Sequence, residues 1–322
     1  MSTNQNSYQL HLNSEDPKNL YAHLIHIAEG FKPMKVAVVH ANDMFSFESS
    51  LEAAKMGIID PIFIGTKSIM EKMSSQLKTD INQYEIIDSD DSIQSAIIAT
   101  QMAKENKVKA LIKGKIHTDD LMLPIVSRTS GLRVDKKRIS HVFIVSAPNY
   151  HKPLFLTDAA INIDPDLNTK VSIIQNAIDL FISIYKRKPK VAIISAVETV
   201  TERLPSTIHA AALCKMTQRG QIINGIVDGP LAFDNAISKE AAISKGVESE
   251  VSGDPDILVA PNIEAGNMLY KQMRYMSNIE GAGIVVGAKV PVILTSRSEE
   301  EIMSRIASCA IAVAMQNNNN SI

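Results

Sequence analysis

The sequence predicts an α/β fold built from two α/β/α domains, and three observations support this. Short β-branched runs alternate with longer segments of helical period along most of the chain. Near the middle, two strand-like runs are joined by a connection too short for a parallel crossover. The length, 322 residues, gives each of two domains room for its own core.

The elements follow in order. "KVAVVH" (Lys35 to His40) reads as a strand, and Ser46 to Met56 as a helix that Gly57 closes as its C′ residue. "PIFIG" precedes a helix from about Lys67, "YEIID" precedes Ser92 to Lys107, and "KALIKG" precedes a helix starting near Thr118. Next come "HVFIVSA" (His141 to Ala147) and "PLFLTD" (Pro153 to Asp158), separated only by "PNYHK". That pair must be antiparallel, which makes the sheet mixed and puts a domain change near residue 140. A long amphipathic helix from about Asp166 to Lys186 sets Val171, Ile174, Ile178 and Phe181 on one face.

Alternation resumes with "KVAIISA", "INGIVDGP", "DILVAP", "GIVVG" and "PVILT". Only "AKV" joins the last two, so either they pair antiparallel or the chain steps between domains there. We prefer the second option, with the final helix packing back on the first domain. The expected domains are 1–140 plus 293–322, and 141–292.

Composition narrows the function. The two cysteines, Cys214 and Cys309, lie far apart with no C-x-x-C spacing, which fits a reducing compartment and argues against structural zinc. Net charge is −2, tryptophan is absent and the lysines are scattered, so no nucleic-acid surface is expected. The N-terminus has no signal-peptide pattern, and the apolar stretch Ile306 to Met315 falls short of the ~18 residues of a membrane span. A soluble cytoplasmic protein with a small-molecule partner is the expectation.

Ligands of open α/β sheets bind beyond the carboxyl ends of strands. Unusual residues collect at such ends: Lys113, Gly114 and Lys115; Thr157 and Asp158; Asp228, Gly229 and Pro230; Ser296 and Arg297. One polar strand end is an ordinary turn, but several together point to a cleft. His117 follows one of them and reads first as a surface or capping residue. "GAGIVVG" (Gly281 to Gly287) precedes a strand instead of opening a helix, so it is read as a loop and not as a dinucleotide fingerprint. P-loop, zincin and hydrolase motifs are absent. Asp228, Asp234, Asp254 and Asp256 form a set that could hold Mg²⁺, but Asp234 more simply caps "NAISKEAAISKG" and "GDPD" more simply makes a turn. No metal is expected.

"VDGPLAFDNAIS", "VSGDPDILVAPNIEAGNMLYK" and "VGAKVPVILTSR" resemble the phosphate acetyltransferase and phosphate butyryltransferase family. "KGKIHTDDL", "GLRVDKKRISHVFI", "LTDAAINIDP" and "KVAIISAVETVTERLPST" agree, with the butyryl branch the closer likeness, so the resemblance runs from about Lys35 to Arg297. It implies reversible acyl transfer between coenzyme A and inorganic phosphate, with coenzyme A as a substrate and neither metal nor tightly bound cofactor. It also implies a fold similar to isocitrate and isopropylmalate dehydrogenases, with two domains flanking a cleft and a homodimer joined through the second. Two other readings are kept: a metal-dependent hydroxyacid dehydrogenase-like oxidoreductase using Asp228, Asp254 or Asp256, and a catalytically silent CoA-binding protein.

An arginine fork suits a phosphate group, and Arg297 fits that task. Ser296 could hold the CoA sulfur or the oxyanion, where one donor is worth about 3 kcal/mol of barrier. The resemblance assigns serine to sulfur and arginine to phosphate. A base for the thiol is left open between Glu301 and Asp234. The acetyl branch has a longer loop ending in aspartate, whereas here Ser298, Glu299, Glu300 and Glu301 follow at once, and Ser298-x-x-Glu301 is a capping box. Direct proton transfer from a thiol near 8.5 to a glutamate near 4.3 is uphill by about 6 kcal/mol, so burial or Arg297 must help. Asn267 and Lys271, four apart on a predicted helix, are carried over as cleft-lining. Leu123 stands before Pro124 where many acetyl-branch sequences have a basic residue, so that CoA contact is not carried over.

Overall fold

The computed structural model describes residues 19–129, 131–135, 137–294 and 301–318. The first half runs α1 (Leu20–Glu29), β1 (Met34–Val39), α2 (Met44–Lys55), β2 (Ile59–Gly65), α3 (Lys67–Leu77), β3 (Glu85–Asp88), α4 (Ser92–Lys104), β4 (Ala110–Lys113) and α5 (Thr118–Val126). Then follow β5 (Ser140–Ser146), β6 (Leu154–Thr157), α6 (Leu167–Tyr185), β7 (Lys190–Ile194), α7 (Pro205–Gln218), β8 (Ile226–Leu231), α8 (Phe233–Ile237) and α9 (Lys239–Ser244). The chain closes with β9 (Ile257–Val259), α10 (Ile263–Met276), β10 (Glu280–Val286), β11 (Val292–Ile293) and α11 (Ile302–Asn318). Among the described residues no helix is long and apolar enough to cross a membrane.

Local chemistry sets the helix ends. Asp43, Asp91, Asp166 and Asn262 each accept a backbone N–H in the first turn of α2, α4, α6 and α10, the usual work of an N-cap. Gly57, at φ 71°, follows α2 as expected of a C′ glycine. "NAISKEAAISKG" departs from expectation. It breaks into α8 and α9 at Ser238, whose hydroxyl caps Ala241, while Asp234 sits inside the first turn of α8 after the Ala232 cap. Asp234 is therefore not the N-cap.

Among the described residues, eleven strands join one sheet in the order β3-β2-β1-β4-β11-β10-β5-β6-β9-β7-β8. β3, β2, β1, β4 and β11 are mutually parallel, as are β6, β9, β7 and β8. Between the two blocks, the antiparallel pairings β11–β10, β10–β5 and β5–β6 reverse the direction, so the blocks run opposite ways. The β5–β6 pair is antiparallel as its short connection required. β10 and β11 also pair antiparallel, the option not preferred from sequence, while β11 adds parallel to β4. Gly287, at φ 86°, occupies the turn that allows this. "GAGIVVG" is likewise not a loop: Gly281 and Gly283 lie inside β10.

The two sheet faces are covered differently. One face carries a single apolar cluster that joins Val38, Ile112, Ile293, Ile284, Val142 and Phe155 to α1, α2, α6, α7 and α11. The other carries two separate clusters. Leu111, Val292 and Val285 pack with α4 and α5, whereas Phe143, Leu156 and Leu258 pack with α8 and α10. The break between these two clusters, a gap in the apolar packing of this face, falls above β10 and β5.

Candidate active site

Strand register locates the predicted residues relative to the gap. Because side chains alternate, Lys113 lies on the gapped face with Leu111, in a transverse row that continues through Leu294, Gly283, Phe143, Leu156, Leu258, Ala192 and Asp228. Lys113 and Leu294 stand side by side, one residue beyond the Ile112–Ile293 pair. Ser296 and Arg297 lie outside the described residues, as does Ser298 with its half of the capping box. Their described flanks are Leu294 and Glu301.

Lys113 is buried, and its Nζ lies 3.4 Å from the Gly114 carbonyl. Gly114 is required by crowding: a Cβ there would sit 2.4 Å from the His40 carbonyl oxygen. His117 occupies the N-cap position of α5, is exposed, and makes no side-chain cap. Thr157 is fully buried, and its hydroxyl donates to the His141 carbonyl at 2.8 Å. Asn267 of α10 donates to the Ala159 carbonyl at 3.1 Å, which ties the helix to the loop after β6; Lys271, one turn on, is exposed.

Asp228, Gly229 and Pro230 sit elsewhere. They belong to β8, the outermost strand, and β11, β10, β5, β6, β9 and β7 intervene between it and β4. At about 4.8 Å per strand step that separation is on the order of 30 Å, too far for one small ligand to touch both Lys113 and Asp228 of one chain.

Both candidate bases have other occupations. Glu301 accepts from the Tyr21 hydroxyl at 3.0 Å and from Arg274 at 2.5 Å, tying the start of α11 to α1 and α10. Asp234 is exposed and paired with Lys245 at 2.9 Å, whose hydrogen bond holds its carboxyl below the usual range and makes it a poorer base. The acids of the metal reading are engaged as well. Asp254 pairs with Lys152, Lys190 and His151, and Asp256, fully buried, pairs with Arg187 and Lys152. Carboxylates neutralised by that many cations do not attract Mg²⁺.

The floor of the gap holds residues that motif reading passed over. Gly281 and Gly283 leave a hollow on β10, and aromatic rings fill it: the Tyr270 hydroxyl would lie 3.0 Å from a Cβ at 281, and His141 Nε2 3.0 Å from one at 283. Tyr270 stacks on Phe143 with centroids 3.5 Å apart, and Phe143 meets His141 edge-on at 4.2 Å. Such contacts contribute about 1 kcal/mol each beyond burial. His141 is fully buried, with the Leu294 backbone as the hydrogen-bonding group beside its ring. Burial pushes its imidazole down to about 4, with the Asp158 carboxylate and the Leu294 backbone pulling the other way, so the ring is neutral at neutral pH. Asp158, also buried, accepts the amides of Ala160, Ile161 and Asn162 and the Asn162 side chain at 2.6 Å. The signal was present in sequence as G-A-G in a strand opposite "SHVF", but only the register makes those residues neighbours.

Together these features define an α/β enzyme fold with a partly uncharged, ring-floored gap beside a lysine-bearing strand end. The fold is similar to the crystal structure of a branched-chain phosphotransacylase from Enterococcus faecalis V583, at TM-score 0.76 and 29% identity over 88% of this chain and 98% of that one. The profile described as phosphate acetyl/butaryl transferase matches residues 92–313, and the chain belongs to that family of acyltransferases. A phosphate acetyltransferase of Rhizobium meliloti is 47% identical over 91% of this chain and 92% of its own. A phosphate butyryltransferase of Clostridium acetobutylicum is 39% identical over 86% and 92% respectively. Identity to the acetyltransferase exceeds identity to the butyryltransferase, so the motif likeness to the butyryl branch does not choose the acyl group.

Proposed function

We propose that the protein transfers a short acyl group, acetyl or butyryl, reversibly between coenzyme A and inorganic phosphate. Membership of the phosphate acetyl/butyryl transferase family over residues 92–313 is the observation that carries this reading. In the forward direction a phosphate oxygen attacks the thioester carbonyl carbon. A C–O bond forms, the C–S bond breaks, and the thiolate leaves to take up a proton. Coenzyme A is a substrate here, and no tightly bound cofactor takes part.

Arg297 binds phosphate as a bidentate fork, and Ser296 donates to the sulfur or to the oxyanion. Lys113 adds positive charge beside them, with Gly114 and His117 at the same strand end. Thr157, Asn267 and Lys271 belong to the opposite wall. Neither Glu301 nor Asp234 is assigned as base, because each is already held by a cation. Asp228, Gly229 and Pro230 are placed outside the single-chain cleft.

The division into 1–140 plus 293–322 and 141–292, similar to isocitrate and isopropylmalate dehydrogenases, belongs to the same proposal. So do a homodimer and a cytoplasmic location. The reversal of strand direction at β10 and β5 and the packing of α11 on α1 and α2 support the division. The test is thiol release from acetyl-CoA and butyryl-CoA with and without phosphate. Phosphate-dependent release is expected, and equal release without phosphate, or none, overturns the reading.

A further inference from the structure

We infer that Arg128 and Arg133 bind the phosphate groups at the nucleotide end of coenzyme A, in a pocket at the far end of α5 from Lys113. The inference rests on the reading of acyl-CoA as a substrate.

The pocket has a volume of about 380 Å³ and is lined by Arg128, Arg133, Val134 and Asp135. Ordinary ligand sites occupy about 300–1,000 Å³, so a phosphorylated group fits. Backbone contacts fix the chain that forms it. The Gly131 amide donates to the Ser127 carbonyl at 3.1 Å and the Leu132 amide to the Ile125 carbonyl at 2.8 Å, while the buried Leu132 side chain joins the apolar cluster under α5. Position 131 excludes a side chain, since a Cβ there would lie 2.4 Å from the carbonyl oxygens of Ile125 and Ser127. On the other side, Arg133 bridges to Ala288 and the Lys289 amide donates to the Leu132 carbonyl at 2.8 Å, which ties the loop to the turn between β10 and β11. Both guanidinium groups therefore stand on backbone already held in place, and that lowers the ordering cost of binding.

Charge selects the ligand. Lys107 and Lys137 nearby are matched by Glu105 and Asp179. Among the described residues no carboxylate forms an ion pair with Arg128 or Arg133, although both are exposed and Asp135 lines the same pocket. Two planar forks that clamp nothing in the protein match the oxygens of a phosphate ester.

Placement decides which phosphate is bound. α5 starts beyond Lys113 and, at nine residues, carries the chain about 14 Å toward Arg128. Ala288 and Leu294 flank β11 and are at most about 20 Å apart even on an extended chain. The pocket is too far from the Lys113 strand end to hold an inorganic phosphate that reacts there. It lies at the distance that the pantetheine arm of coenzyme A spans between its sulfur and its pyrophosphate. That arm would follow the break in apolar packing beside α5.

The test compares the wild type with Arg128→Ala, Arg133→Ala and the double variant. Each is assayed for kcat and KM with the acyl-CoA that turns over and with the matching S-acylpantetheine, which lacks the phosphates, and for binding of CoA and pantetheine by calorimetry. Each single variant should raise KM for acyl-CoA about tenfold and weaken CoA binding in parallel, with kcat and KM for inorganic phosphate nearly unchanged. KM for S-acylpantetheine should be the same in all four proteins, because nothing it carries reaches the arginines. Wild-type KM for acyl-CoA in the double variant overturns the inference, and so does an equal rise with S-acylpantetheine or a rise confined to inorganic phosphate. A wild type that binds CoA through these arginines but releases no thiol removes the acyl-transfer reading and leaves this inference standing. An active wild type beside an unimpaired double variant removes this inference alone.

Discussion

Two buried aspartates are treated in opposite ways. Asp256 is fully buried at the amino ends of β9 and β7, where Arg187 at 2.7 Å, Lys152 at 2.8 Å and the Lys190 amide surround it. Asp158 is nearly as buried at the carboxyl end of β6, yet it is met only by backbone amides and one asparagine; among the described residues no cation pairs with it. The first arrangement cancels charge and ties strands together. The second meets the carboxylate with neutral donors alone among the described residues, near the neutral imidazole of His141. The two differ in whether a buried carboxylate is met by full positive charges or by neutral donors.

The comparison can be broken from either side. Arg297→Ala has the largest expected effect, a loss of about 10³-fold or more in kcat/KM. Its melting temperature should stay at the wild-type value, and wild-type turnover in this variant would move the chemistry elsewhere. Asp256→Ala comes next, on stability. Removing the carboxylate that Arg187 and Lys152 share should cost about 3 kcal/mol in denaturant unfolding, the lower part of the range because Arg187 is half exposed and Lys152 keeps Asp254 as a partner, while kcat/KM of the folded enzyme stays within about twofold. A specific loss of activity without loss of stability would make the clamp part of the site.

The clamp also has a pH signature. Burial pushes Asp256 and Asp254 up, but hydrogen bonds from Arg187 and Lys152 to the first, and from Lys152, Lys190 and His151 to the second, outweigh it and hold both below the usual carboxylate range. A depressed folded-state pKa contributes stability that is complete above the unfolded value near 4 and disappears as pH falls through the folded one. Melting temperature should therefore decline below about pH 4, and Asp256→Asn should flatten that decline. An identical acid slope in the variant would mean other carboxylates dominate. Asp234→Asn has the smallest expected effect: thiol-release rate and melting temperature indistinguishable from wild type. A tenfold or greater rate loss would return Asp234 to the list of bases.

Much of the fold was legible locally. Asp43, Asp91 and Asp166 announce helix starts, Gly57 an end, and "PNYHK" an antiparallel turn, because capping and loop closure act within a few residues. Asp234 misled because a first-turn acid and an N-cap acid look alike in sequence, and Ser238 was the stronger cap. The same strand-end rule linked Lys113 to Asp228, although β8 turned out to be the far edge of the sheet.

By itself the sequence determined the α/β class, most of the helical and strand segments, the mixed sheet and, through its motifs, the family. Those are set by neighbours along the chain or by motifs that survive intact. Tertiary structure alone decided that the two parallel blocks run opposite ways, that one face splits into two helix layers, and that Gly283, His141, Phe143 and Leu294 meet beneath the gap. The physical reason is pairing register: a side chain's neighbours across a sheet depend on which residues of distant strands hydrogen-bond to each other, and nothing within any single strand encodes that choice.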